Sequence, residues 1–130
     1  MRLCTDDWQA ALGVPPTDGD FHERLQRLLY EHTLGLLEHG QSVILEDGLW
    51  FRSERDEKLA DGHARAAVVE LNVLDVEFDE LLRRMELRNA MPARAGEVRI
   101  ERDELQRLWA LFEPPQPEEL ARFDDVVVHQ

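Results

Sequence analysis

The chain has 130 residues, 43% of them hydrophobic and 33% charged, with a formal net charge of −13. That length suits one domain spanning 1–130 with a modest core, and the balance is that of a globular chain rather than a disordered one. The acidity argues against a nucleic-acid backbone or an anionic membrane as partner, because both repel a strongly negative surface.

The single cysteine, Cys4, rules out an internal disulfide and fits a reducing cytoplasm. Its apolar neighbours make it an expected buried thiol. No apolar run has the length of a signal peptide or a membrane span, so the expectation is a cytoplasmic domain.

Leu3–Thr5 reads as the tail of a strand running into Asp6 and Asp7, followed by a turn over Asp7–Leu12 and a Gly/Pro loop over Gly13–Asp20. Leu25, Leu28, Leu29, Leu36 and Leu37 recur at helical spacing, which predicts a helix over Phe21–Glu38, with His39-Gly40 as its stop. Ser42–Leu45 is a short apolar run consistent with a buried strand. A charged helix is predicted over Arg52–Arg65, and Ala66–Leu74 is the clearest strand. Phe78, Leu81, Leu82 and Met85 mark a helix ending near Asn89, with a polar loop over Met91–Glu97. Leu105, Leu108, Trp109 and Phe112 mark another helix, stopped by Pro114-Pro115, and Val126–His129 is a final strand. Strands alternating with helices imply an α/β fold with a mostly parallel sheet.

Parallel sheets bind ligands at the carboxyl ends of their strands, which singles out Asp6 and Asp7 after the first strand and Glu46 and Asp47 after the second. Arg84 and Arg88 are four apart and share a helical face, offset from the apolar stripe. The bland alternatives are a helix cap for the aspartates, a packed Trp8, and surface ion pairs for Arg52, Arg55 and Arg84, the last with Glu80. The histidines at 22, 32, 39, 63 and 129 have no zinc-ligand spacing, and no nucleophile motif of a hydrolase is present.

In order, Thr5-Asp6-Asp7-Trp8, Ser42-Val43-Ile44-Leu45-Glu46-Asp47-Gly48-Leu49-Trp50, Arg84-Met85-Glu86-Leu87-Arg88-Asn89-Ala90, Phe112-Glu113-Pro114-Pro115 and Pro117-Glu118-Glu119-Leu120 form a set. Together they resemble the ATP-binding P-loop kinases of the AAA-like, zeta-toxin and chloramphenicol-phosphotransferase type, over nearly the whole chain. The resemblance implies phosphoryl transfer from ATP·Mg²⁺ to a small hydroxyl acceptor. Asp6 would be the base, Asp7, Trp8, Arg52 and Arg55 would meet the acceptor, and Arg84 and Arg88 would form a lid on the ATP phosphates. Glu46 and Asp47 would hold the Mg²⁺ shell. The family has Asp where this chain has Glu46, and an apolar residue where it has Asp47.

The sequence departs from this family in one decisive way. No G-x-x-x-x-G-K-[ST] loop occurs in it. In such kinases the sheet order is 2-3-1-4-5, so the strand preceding that loop is central. Its absence predicts a truncated, catalytically silent chain whose Val43–Leu45 and Val68–Val73 strands each present an unpaired edge. A complementing N-terminal segment, or self-association as a homodimer, would satisfy such edges. The alternative function is a non-catalytic binding or regulatory module acting through those edges.

Overall fold

The computed structural model describes residues 1–94, 97 and 99–130. They form a mixed α/β chain with six helices and two small parallel sheets. The elements fall into two compact units, one of residues 1–48 and 93–99, the other of 49–92 and 100–130.

The first unit holds β1 (Arg2–Cys4), α1 (Thr5–Ala11), α2 (Gly19–Glu38) and β2 (Ile44–Glu46). β1 and β2 pair in parallel, Arg2 beside Ile44 and Cys4 beside Glu46. Parallel pairing is possible because α2 supplies the crossover that returns the chain to the same end. The turn expected over Asp7–Leu12 is helix α1 instead, continuous from Thr5, with Asp6 and Asp7 in its first turn where the helix dipole favours acids. The loop ahead of α2 ends earlier than expected. Asp18 caps the helix, its Oδ1 accepting from Phe21 N at 3.1 Å, so Gly19 and Asp20 are already helical.

Leu25 and Leu29 are buried as the periodicity requires, together with Thr33, whereas Leu28 faces solvent. Leu3, Cys4, Thr5 and Gln9 complete this unit's interior. The strand expected over Ser42–Leu45 forms one to two residues later and is not buried: Ile44 is 65% exposed. Its one paired strand among the described residues, β1, meets its backbone and leaves that side chain largely open.

The second unit holds α3 (Arg52–Ala64), β3 (Glu70–Leu74), α4 (Phe78–Asn89), α5 (Arg102–Leu111), α6 (Pro117–Leu120) and β4 (Asp125–His129). β3 and β4 pair in parallel over their full length, from Glu70 beside Asp125 to Leu74 beside His129. The strand expected from Ala66 begins at Glu70 because the preceding residues finish α3. Ala66 N donates to His63 O and Ala67 N to Gly62 O, both 3.0 Å, a Schellman closure with Ala66 at φ 56°.

α4 and α5 pack through Leu82, Met85 and Leu105, with Phe78, Leu81 and Ile100 against them. Trp109 stands edge-on to Phe78 at 5.6 Å. α6 was not expected from the pattern; Pro117 starts it at a position where a missing amide costs nothing. Part of the loop expected over Met91–Glu97 lies outside the described residues.

Candidate functional site

The sequence-nominated residues divide between the units. Asp6, Asp7, Trp8, Glu46 and Asp47 belong to the first, and Arg52, Arg55, Arg84 and Arg88 to the second.

In the first unit, parallel pairing brings the carboxyl ends of β1 and β2 side by side, so the acids that follow them share one end of the sheet. Arg2 joins them. Its Nη1 donates to Asp7 Oδ2 at 2.7 Å and its Nε to Glu46 Oε2 at 2.5 Å. The Glu46 carboxylate, then Asp7, raises the Arg2 pKa further above its ordinary value. Asp6 takes no part in this cluster and is 85% exposed at its side chain, with His22 Nδ1 3.6 Å away. Asp47 is half-buried. Trp8 is exposed rather than packed in a core. Cys4, directly beneath, is buried, and desolvation pushes its thiol pKa up, so the thiolate is disfavoured.

In the second unit the first turn of α3 carries the two arginines into different surroundings. Arg52 is on the surface: its Nη1 meets Glu118 Oε1 at 2.8 Å and its Nε lies 3.7 Å from Asp56. Its backbone N–H is capped by Glu113 Oε2 at 3.1 Å. Arg55 is buried, and so is Glu119; their side chains are 3% and 1% exposed. Arg55 Nε donates to Glu119 Oε1 at 2.6 Å and Nη2 to Glu119 Oε2 at 3.2 Å, a bidentate fork. Its remaining donors go to the carbonyls of Leu49 (2.9 Å), Trp50 (3.2 Å) and Glu113 (2.8 Å). The surface ion pair weighed for Arg55 is therefore replaced by a buried tie to the proline-rich segment.

On α4, Arg84 Nε donates to Glu80 Oε1 at 2.7 Å, the surface pair foreseen for it, and Arg83 forks onto the same carboxylate. The Arg83 hydrogen bonds, then those from Arg84, pull the Glu80 pKa down to about 2. The helix thus presents two arginines on one acid, with Arg88 exposed a turn further along.

Among the described residues no three His, Cys, Asp or Glu side chains converge on a metal-sized site. Nor is any helix among them long and apolar enough to cross a membrane. The contacts that organise these groups involve Arg2, His22 and Glu119, none given a site role from the sequence. Their partners lie at separations such as 44 and 64 residues, which no local period reveals. Comparison with protein-family models, with curated proteins and with solved structures finds no match.

Proposed function

We propose that this chain is the acceptor-and-lid portion of a P-loop kinase-like protein, silent towards ATP on its own. The observation that carries the reading is the strand pairing. β1 pairs with β2 and β3 with β4, each in parallel, and no other ladder joins described strands. A sheet of order 2-3-1-4-5 deprived of its strand 1 leaves those two pairs and no others. The acids following β1 and β2 stand at the strand ends where such kinases receive their acceptor, and the exposed arginines of α4 suit a phosphate lid.

The residues present do not by themselves fit ATP or Mg²⁺. Glu46 is engaged by Arg2, Arg84 by Glu80, and the sequence has no backbone nest for phosphates. The purified 130-residue chain should therefore show no ATP turnover. Turnover abolished by Arg88→Ala would overturn the silence. Adding a strand–loop–helix polypeptide bearing G-x-x-x-x-G-K-S should create binding of a fluorescent ATP analogue. Failure to do so at saturating polypeptide would count against the kinase reading itself.

A second reading, a non-catalytic binding module, has its own support in the edge of β3. Asp75 N donates to His129 O, so by the two-residue alternation Glu70, Asn72 and Leu74 direct their amides and carbonyls away from β4. Val68 and Leu74, on the same face as Glu70 and Asn72, are 84% and 76% exposed. An edge of this kind accepts a strand from another chain. Sedimentation that stays monomeric across a hundredfold range of concentration would exclude the self-associating form of this reading.

A further inference from the structure

The junction of α1 and α2 contains a histidine whose tautomer the surrounding chain dictates. Asp18 caps α2, and His22 N donates to Asp18 O at 3.0 Å, so the imidazole is held one turn into the helix. Across from it, Gln9 is buried and its amide can be oriented in one way. Gln9 Nε2 lies 2.8 Å from Pro15 O and 3.4 Å from Asp18 O. Both are carbonyls and can accept only, so Gln9 Nε2 is the amide nitrogen and Oε1 is left to accept.

The atom 2.9 Å from Gln9 Oε1 is His22 Nδ1. An acceptor there requires Nδ1 to carry the proton. The same nitrogen lies 3.6 Å from Asp6 Oδ1, so amide oxygen and carboxylate together favour Nδ1–H. His22 Nε2 then carries the lone pair and meets no hydrogen-bond partner among the described residues, on a side chain that is about one-third exposed (34%).

We propose that His22, through Nε2, is the proton acceptor at this end of the first unit, with Gln9 and Asp6 as its positioning residues. An acceptor imidazole held by a donor bond at one nitrogen, with a carboxylate behind it, leaves its other nitrogen to take a proton. Resting on the kinase reading, the proton would be that of the acceptor's hydroxyl: the O–H bond passes its proton to Nε2 and leaves its electron pair on the oxygen, giving an imidazolium whose charge the Asp6 carboxylate offsets. Asp6, exposed and placed on the Nδ1 side, then orients and balances rather than abstracts.

The first test is long-range ¹H–¹⁵N correlation on the full, uniformly labelled chain at a pH where His22 is neutral. The expected result is a protonated Nδ1 and a pyridine-type Nε2 at His22, moving towards the Nε2–H form in Gln9→Leu. A wild-type His22 with Nε2 protonated overturns the proposal whether or not the variant folds. Diethyl pyrocarbonate supplies a chemical check: Nε2 bonds the reagent's carbonyl carbon, and ethyl carbonate leaves. Mapped modification should sit on His22 Nε2, and a His22 that stays unmodified while exposed His39 reacts refutes an available lone pair.

Where the complementing polypeptide restores turnover, His22→Gln should lower it by about 10²–10⁴-fold and Asp6→Asn by less. The reverse order returns the proton to Asp6. Failure of the nucleotide-binding test sinks the kinase reading and leaves the tautomer result standing; failure of the tautomer sinks this proposal alone.

Discussion

Two arginines organise this chain, and they do so in opposite surroundings. Arg2 bridges Asp7 and Glu46 in the first unit with half of its side chain in solvent; Arg55 grips Glu119 and three carbonyls in the second with 3% exposed. The bond lengths are alike, so geometry does not separate them. Desolvation does. An exposed pair exchanges water contacts for protein contacts at little net gain and is screened by salt. A buried charge has given up its water entirely, and removing its partner leaves a cost that nothing offsets. The first arrangement can rearrange around a ligand; the second fixes the path of the chain from α3 to the Glu113–Glu119 segment.

The largest expected effect comes from breaking the buried side of this comparison. Arg55→Ala should destabilise the second unit by about 3–5 kcal/mol, because it strands the Glu119 carboxylate in the interior. Urea unfolding followed through Trp50 and Trp109, with Trp8 as the reporter of the first unit, would measure it. An unchanged midpoint would mean that the site is wet. Next, Gly62→Ala on the same helix should cost about 1–3 kcal/mol by overpacking. A Cβ there would come 2.6 Å from the Val69 Cγ2 methyl, a stiff β-branched neighbour, and thermal melting would show the shift.

A smaller, pH-dependent effect belongs to Asp124, whose Oδ2 accepts from Val69 N at 2.7 Å and contacts His63 Nε2 at 2.9 Å. The Val69 amide, then His63, holds its pKa below the ordinary carboxylate value. A depressed carboxylate contributes stability that is fully present above its unfolded pKa, about 3.9. That contribution is lost as pH falls through the lower folded value. Stability of the second unit should fall with acidification across that window, and Asp124→Asn should flatten this slope.

Smallest of all should be Arg2→Ala, with a melting shift near the limit of detection that vanishes as salt is raised. A large, salt-independent loss would erase the distinction between the two arginines.

Burial is also what separated the legible from the illegible in the sequence. The helix of Leu25 and Leu29 and the α4 stripe of Leu82 and Met85 follow a period because one face of each is dry. Arg84 with Glu80 was readable for the same local reason, four residues on one face. Arg55 was not, because its environment is set by Glu119, 64 residues away, and a run of Arg, Ser, Glu, Arg, Asp, Glu looks like solvated surface until that segment folds over it. The start of β3 was misjudged for a different cause. Ala66–Val69 has a strand's composition, yet Ala66 closes α3 in the left-handed region, a place where glycine is usual and alanine gives no signal. At the site, the acids at the strand ends were readable from position alone, whereas Arg2 acquires meaning only once β1 pairs with β2, and Gln9 and His22 only once α1 and α2 meet.

Cys4 has one more consequence. It is the chain's single thiol, buried in the interior of the first unit, and that burial raises its pKa and disfavours the reactive thiolate. A thiol-specific reagent added to native protein should react fastest during the moments when β1 comes away. The rate of labelling is therefore a clock for breathing of the first unit.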